Sequence, residues 1–323
     1  MRSWLLDKIG SLDLRLDTLP EPKPAPGEVV LEMLFAALNP ADRYLAEGAY
    51  PARPALPHVL GRDGVGVVTA LGQGVAGVRV GDTKVIVRGE TGVSRQGTFA
   101  ERVAVSADSL VDVPSGWSLE QAAGATLVYL TAYQAITQWP GLPAKSVTLV
   151  TGASGGVGVA SIQLAKAMGH TVVALTRGIG KHDTLRSIGA DIVLDVTVPT
   201  WRKQLDGRKV NLAIDNVGGE GFNDLLGVMD YAGRISVVGR LAGPVPQFNT
   251  ASLFFRRLQI GGVAVGTYSR FEAIAAWDQV QQLMAQRGAK PLVDQVFAFE
   301  QLNAAFERLR QGPIGKVLLR VKA

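Results

Sequence analysis

A glycine-rich turn in the middle of the chain has the residue types and spacing of an anion-binding site. The turn consists of Ala153, Ser154, Gly155, Gly156, Val157 and Gly158. Its glycines lack the Cβ atoms that would keep a backbone away from a pyrophosphate, and the helix expected after it directs free amides and a positive dipole end at such an anion. Apolar runs at 147–151 and 171–175 complete a strand, turn, helix and strand unit within about 30 residues, which indicates a dinucleotide site.

The residues after the second of these strands predict which dinucleotide is bound. A chain that binds NAD usually places an acidic residue about 20 residues beyond the glycine turn, where it bonds the ribose 2′-hydroxyl. This chain has Thr176 and Arg177 there, with Lys181 close by. Because a guanidinium suits a 2′-phosphate, we expect NADPH. The alternative is a solvated surface arginine, and Asp195 would offset part of the attraction.

The composition limits the classes of protein to which the chain can belong. It has 323 residues, 47% of them hydrophobic and 19% charged, which is typical of a globular protein with two domains. There is no cysteine and there are three scattered histidines, so we expect no functional metal. The net charge of +5 comes from dispersed basic residues, so nucleic acid is not an expected partner.

The sequence also predicts a protein that is not inserted in a membrane. Lys166 and His170 interrupt the apolar run around the glycine turn before it reaches the ~20 residues that span a bilayer. The first 16 residues contain no continuous apolar signal core. We therefore expect a cytoplasmic protein.

The chain before residue 122 predicts a β-rich domain. Strand patterns separated by Gly and Asp turn signals fall at 3–9, 12–16, 29–38, 64–71, 84–87 and 97–105, with a short helix at 42–47. From 122 to 264 strands alternate with helices, the strands being expected at 147–151, 171–175, 191–194, 210–215, 233–239 and 257–263. Six such strands predict an α/β fold with a doubly wound parallel sheet.

The last segment, 265–323, is too short for a third domain. It contains helical patterns at 270–286 and 300–310 and a strand at 316–321, so we assign it to the β-rich domain together with 1–121. A doubly wound sheet binds its ligand at the carboxyl ends of its strands, beside the glycine turn. The β-rich domain is then expected to supply the substrate half of a cleft.

Short motifs in a fixed order extend over almost the whole chain. They include Asn39-Pro40-Ala41-Asp42, Gly61-Arg62-Asp63-Gly64, Gly97-Thr98-Phe99-Ala100-Glu101, the glycine turn, Gly189-Ala190-Asp191, Asp215 with Gly218-Gly219, and Gly315-Lys316-Val317. In order and spacing they resemble the zinc-independent quinone oxidoreductase branch of the medium-chain dehydrogenase/reductase superfamily. The resemblance implies a GroES-like fold for the β-rich domain, a Rossmann fold for 122–264, and NADPH as cofactor.

Two related families fit the sequence less well. Zinc-dependent relatives have His and then Glu where this chain has Arg62 and Asp63, and the metal-binding cysteine is missing. Short-chain dehydrogenases share the glycine pattern but use a downstream Tyr-x-x-x-Lys pair, in which the lysine assists proton transfer. Here Tyr231 and Tyr268 are followed four residues later by Ile235 and Glu272.

The resemblance assigns further candidate residues. It places Asn39 and Tyr50 against the nicotinamide, where Tyr50 can donate a proton and Asn39 can bond cofactor or substrate. Packing of Tyr50 beside Pro51 is an equal alternative, and Thr131 either bonds the cofactor or caps a helix. The remaining expected cofactor contacts are Asn216, Val217 and Gly239.

These observations predict an NADPH-dependent reductase that transfers hydride to a quinone or an α,β-unsaturated carbonyl without a metal. The alternatives are an enoyl-thioester reductase and an NADPH-binding protein without turnover, like the crystallins that resemble this family. We expect Arg62 and Asp63 to form a structural ion pair rather than a pair in the cleft. Phe254-Phe255 and the apolar strand after them resemble the edge at which relatives pair, so we expect a homodimer.

Overall fold

The computed structural model describes residues 1–87, 90–243 and 248–322. Its contacts divide the chain into two compact units: the first comprises Met1–Leu127, Tyr268–Ile274 and Pro291–Ala323, and the second comprises Val128–Thr267 and Ala275–Lys290. The expected domain limits, at residues 121 and 264, stay a prediction about which segments fold together. No helix in the described part of the chain is long and apolar enough to cross a bilayer.

The N-terminal segment forms mainly short antiparallel strands. Its elements are β1 (Arg2–Leu6), β2 (Leu14–Thr18), β3 (Glu28–Ala37), α1 (Pro40–Ala46), β4 (His58–Val59), β5 (Asp63–Leu71), β6 (Thr83–Ile86), β7 (Arg102–Ser106), β8 (Leu110–Asp112) and α2 (Leu119–Ala123). β3 is the longest strand and is almost wholly buried, because β5 and β7 both pair with it. The predicted strands are confirmed within a few residues, except that 97–105 is a strand only from Arg102, and β4 and β8 were not predicted.

The middle of the chain alternates helix and strand as predicted. Its elements are α3 (Thr126–Thr137), β9 (Val147–Val150), α4 (Gly156–Ala167), β10 (Thr171–Thr176), α5 (His182–Ser187), β11 (Ile192–Asp195), β12 (Val210–Asp215), α6 (Gly221–Val228), β13 (Met229–Val237), α7 (Ala251–Phe254) and β14 (Gln259–Gly262). The six strands form one parallel sheet in the order β11-β10-β9-β12-β13-β14. The order reverses between β9 and β12, so the predicted doubly wound sheet is confirmed.

The C-terminal elements are α8 (Arg270–Gln286), β15 (Val293–Ala298), α9 (Leu302–Arg310) and β16 (Lys316–Arg320). β16 pairs antiparallel with β3, which brings the end of the chain into the seven-stranded mixed sheet of the first unit. Val317 and Leu319 join the apolar core of that unit, together with Phe299 and Phe306. Residue Lys316, at the first position of β16, is thereby held beside the carboxyl end of β3.

Candidate active site

The glycine turn connects the end of β9 to the start of α4, at the carboxyl edge of the parallel sheet. Gly152 has φ +56°, and Gly155 is the residue that caps α4. A Cβ on Gly158 would lie 2.4 Å from the Gly152 oxygen, which no real side chain tolerates, so this glycine is required by the turn's own backbone. A Cβ on Gly155 would make only an ordinary contact of 3.5 Å to the same oxygen. Gly158 therefore allows the start of α4 to pack closely against the turn, whereas Gly155 leaves the turn open for a ligand to approach.

Asp215 holds the ends of β9 and β12 together beside this turn. One of its carboxylate oxygens, Oδ1, accepts hydrogen bonds from the Thr151 hydroxyl at 2.8 Å and from the amides of Val217 and Gly218 at 3.1 Å. Asn216 adds two hydrogen bonds: its backbone N–H donates to the Thr151 hydroxyl, and its side-chain amide donates to the Thr151 carbonyl. Sequence reasoning placed Asp215 in a motif but did not include it among the site residues; the signal was its position as the last residue of a buried strand.

Two buried acceptors at this edge of the sheet have no hydrogen-bond partner among the described residues. They are Oδ2 of Asp215 and Oδ1 of Asn216. Unpaired buried acceptors are uncommon, and each needs a donor or an explanation. The hydroxyl groups of a bound ribose are suitable donors, so these atoms fit the predicted dinucleotide.

Most of the predicted cofactor residues lie at the carboxyl ends of four adjacent strands, β10, β9, β12 and β13. Thr176 is the buried last residue of β10, and the exposed Arg177 follows it. The Lys181 ammonium donates to the Ser154 hydroxyl at 3.1 Å, which brings a cation to the glycine turn. A Cβ on Gly239, two residues after β13, would lie 2.6 Å from the Asn216 oxygen. Thr131 is half-buried in α3, whereas Asn39 and Tyr50 belong to the other compact unit.

In the first unit, Asn39 belongs to a buried polar cluster. Its side-chain amide donates to Asp63 Oδ2 at 2.9 Å, and its Oδ1 accepts from the Lys316 ammonium at 2.6 Å. Lys316 also donates to the Leu38 carbonyl at 3.0 Å and to Asp63 at 3.3 Å. Both ends of the Asn39 amide are thus bonded within the protein, which fixes its orientation. A contact from Asn39 to cofactor or substrate stays a prediction.

Tyr50 lies against a second part of the same cluster. The Arg62 guanidinium carbon stands 4.3 Å from the centre of the Tyr50 ring, and its Nη1 donates to the Tyr50 hydroxyl at 3.0 Å. On its other side Arg62 Nε lies 3.6 Å from Oδ1 of Asp42, whose side chain is fully buried. Burial raises the pKa of Asp42 to about 6, against the opposing effect of the Arg62 charge.

The prediction that Arg62 and Asp63 form an ion pair with each other is wrong. Arg62 pairs with Asp42, and Asp63 pairs with Lys316 at 3.3 Å. Successive side chains in extended backbone point to opposite sides, so adjacent residues at the start of β5 face different partners. No group of three or more His, Cys, Asp or Glu that could hold a metal ion occurs within the described residues.

Comparison with known proteins gives the family. Residues 156–286 match a family model described as a zinc-binding dehydrogenase, and residues 25–115 match the alcohol dehydrogenase GroES-like domain. The mitochondrial NAD(P)H oxidoreductase RTN4IP1 of Danio rerio is 30% identical, over 97% of this chain and 89% of the relative. A solved NAD-dependent alcohol dehydrogenase has a TM-score of 0.90 at 30% identity, over the full length of both chains. The Escherichia coli quinone oxidoreductase, solved with NADPH, has a TM-score of 0.88 at 26% identity, over 99% of this chain and 100% of that one.

The fold and the site define an oxidoreductase built from a Rossmann sheet and a GroES-like unit. The chain belongs to the medium-chain dehydrogenase/reductase superfamily, in its zinc-independent branch, and the resemblance drawn from the motifs is confirmed. One of the matching family models is described as zinc-binding, but this chain lacks the usual zinc ligands. It has no cysteine, and it has Arg62 and Asp63 in the segment where zinc-dependent relatives have His and Glu.

Proposed function

We propose that this protein is an NADPH-dependent reductase of α,β-unsaturated carbonyls and quinones. The observation that supports it most is the glycine turn at the switch point of the sheet, with the Lys181 ammonium bonded to Ser154 and Arg177 after the neighbouring strand. A cation pair at this position suits a ribose 2′-phosphate. The unpaired acceptors of Asp215 and Asn216 suit hydroxyl groups of the same cofactor.

The cofactor supplies a hydride to the electron-poor carbon of the substrate. As the hydride arrives, negative charge develops on the carbonyl oxygen, and a reductase without a metal needs a donor there. Tyr50 is the proposed donor, because Arg62 already donates to its hydroxyl oxygen and leaves the phenolic proton for another acceptor. Asn39, with its amide fixed by Asp63 and Lys316, is proposed to bond the nicotinamide ribose or the substrate.

The donor should matter more for one substrate class than for the other. An enal or enone gives an enolate that needs a proton, whereas a quinone gives a hydroquinone anion that its aromatic ring already stabilises. Loss of one preorganised donor typically costs about 100-fold or more in kcat. Tyr50→Phe is therefore expected to slow an enal strongly and a quinone weakly.

We also propose that the protein is a homodimer. Phe254 and Phe255 are 64% and 76% exposed, and their rings stand 4.4 Å apart. β14, which follows them, is the outer strand of the parallel sheet and exposes Ile260. An exposed apolar edge strand with adjacent aromatic rings favours pairing with a second copy.

The test is the oxidation of NADPH by wild type and Tyr50→Phe with a 2-alkenal, a cyclic enone and a benzoquinone, in single turnover. The matched control is Tyr231→Phe, which removes the hydroxyl of a tyrosine that is 62% exposed. We expect wild type and control to reduce all three compounds, and Tyr50→Phe to lose mainly the alkenal and enone activity. No oxidation of NADPH by any of them would instead support a cofactor-binding protein without turnover. A fall of no more than a few-fold with the alkenal would show that Tyr50 only packs.

A further inference from the structure

Arg62 contacts both the ring and the hydroxyl of Tyr50, and the proposed reaction gives Arg62 itself no further role. Its guanidinium stacks on the Tyr50 ring, with 4.3 Å between the guanidinium carbon and the ring centre. The same group donates from Nη1 to the Tyr50 hydroxyl at 3.0 Å and, more weakly, from Nη2 to the Ala41 carbonyl at 3.5 Å. The ring and the hydroxyl are therefore held by a single side chain.

The cation is itself fixed by a buried carboxylate. Arg62 Nε lies 3.6 Å from Oδ1 of Asp42, and the two side chains are 11% and 0% exposed. The other Asp42 oxygen, Oδ2, accepts a hydrogen bond from the backbone N–H of Asn39 at 2.8 Å, at the start of α1. Two carboxylates, Asp42 and Asp63, face two cations, Arg62 and Lys316, so the cluster is balanced in charge. A balanced buried cluster holds its members in one geometry, because moving any charge leaves another unpaired.

The donation from Arg62 determines the direction of the phenolic proton. A tyrosine hydroxyl has one proton to donate and lone pairs to accept. Here a lone pair is used by Arg62, and within residues 1–87, 90–243 and 248–322 no hydrogen bond has the Tyr50 hydroxyl as donor. The proton thus has no acceptor in the described part of the chain and is available to a bound substrate. When that proton departs, the negative charge on the phenol oxygen faces a guanidinium at hydrogen-bonding distance.

We propose that Arg62 is a positioning residue for Tyr50 in the reduction of enals and enones. The inference rests on the proposed function. The β-carbon of the substrate accepts the hydride, the bond between the α- and β-carbons becomes single, a double bond forms between the α-carbon and the carbonyl carbon, and the carbonyl π pair moves to the oxygen. The Tyr50 O–H bond then breaks as its proton passes to that oxygen, which gives an enol, and water returns a proton to the phenolate. The enol becomes the saturated carbonyl when its α-carbon takes a proton from solvent and its oxygen releases one. Arg62 holds the ring in place and stabilises the phenolate while it lasts.

A double-mutant cycle separates this role from a purely structural one. The proteins are wild type, Tyr50→Phe, Arg62→Met and the double variant, and the measurement is the single-turnover rate with a 2-alkenal at saturating NADPH. We expect Arg62→Met to slow the reaction about 10-fold to 100-fold when Tyr50 is present, and no more than about threefold in the Tyr50→Phe background. Arg62→Lys, which keeps the charge but loses the stacked fork, should restore part of the rate.

Equal slowing by Arg62→Met in both backgrounds would show that Arg62 acts on the fold and not through Tyr50, and would overturn the inference. If the wild-type protein does not oxidise NADPH in the presence of the alkenal, the proposed function is overturned, and the inference with it. If Arg62→Met does not fold because Asp42 is left unpaired, the same cycle in the Asp42→Asn background removes the unpaired carboxylate from the proteins that carry Arg62→Met, and it decides between the same two results.

Discussion

At the scale of single residues, Arg177 is the group on which the choice of cofactor depends. It is exposed, follows the last residue of β10 and has the Lys181 ammonium nearby at the glycine turn. We expect Arg177→Ala to lower kcat/KM for NADPH about tenfold or more and to leave that for NADH nearly unchanged, since only NADPH has the 2′-phosphate. Arg287→Ala, an exposed arginine at the end of α8, is the matched control. A wild type that prefers NADH, or a variant with unchanged preference, would contradict the assignment.

Asp42 should give the folding stability a characteristic dependence on pH. Burial raises its pKa from 3.8 to about 6, so between these values the folded protein binds a proton that the unfolded chain has released. By linkage, the proton bound to Asp42 adds about 3 kcal/mol to the free energy of unfolding below about pH 4. This stabilisation is lost as the pH rises through about 6.

The measurement is the free energy of unfolding in urea, from pH 4.5 to 7.5, for wild type and Asp42→Asn. Wild type should lose stability relative to the variant as the pH rises, because Asn has no proton to release. Curves that stay parallel over this range would show that Asp42 ionises in the folded protein as it does in the unfolded chain.

The partners of the charged residues show where sequence reasoning reached its limit. Arg62 and Asp63 were expected to pair because they are adjacent and opposite in charge, yet each pairs elsewhere. Lys316, the partner of Asp63, is 253 residues away in the chain. Which side of a strand a charge faces, and which distant strand returns beside it, are properties of the folded sheet and have no local signal.

Among the helices, strands and turns, the turn between β9 and α4 places a strict limit on side-chain size. A Cβ on Gly158 would meet the Gly152 oxygen at 2.4 Å and the Ala153 carbonyl at 2.6 Å, so Gly158→Ala must displace the turn. We expect a loss of about 1–3 kcal/mol in stability and NADPH affinity at least tenfold weaker, as the displaced amides no longer converge on the pyrophosphate.

The matched control for that variant is Gly266→Ala, because a Cβ there meets nothing within 4 Å. Fluorescence titration with NADPH and unfolding in urea would measure both properties. Equal behaviour of the two variants would contradict the assigned role of the turn.

The same turn explains why the parallel sheet was predictable. Its central strands are buried on both faces, so they appear in the sequence as unbroken apolar runs, and glycine-rich turns separate them from helices. The strands that were missed have weaker patterns: β4 has two residues, β8 has three, and β15 is half-exposed with no alternation. Pairing with neighbours, rather than local sequence, makes these segments strands.

At the scale of the whole molecule, the exposed edge of the parallel sheet predicts a dimer. Light scattering at micromolar concentration should give twice the mass of the 34.2 kDa chain. Phe255→Lys should shift the protein to the monomer, because it places a charge among the apolar residues that follow α7. The control is Phe271→Lys, which changes an equally exposed phenylalanine in the first unit. A wild type of monomer mass would contradict the proposal.

In the proposed reaction, hydride from NADPH reaches the electron-poor carbon of an unsaturated carbonyl. The most direct measurement uses NADPH deuterated at C4, with each of the two faces labelled in turn, and follows the reduction of a 2-alkenal by mass spectrometry and proton NMR. We expect one deuterium at the β-carbon of the saturated product from only one of the two labelled cofactors, and a product proton from solvent at the α-carbon. Saturated product without deuterium from either cofactor, or no product while NADPH remains unoxidised, would contradict it.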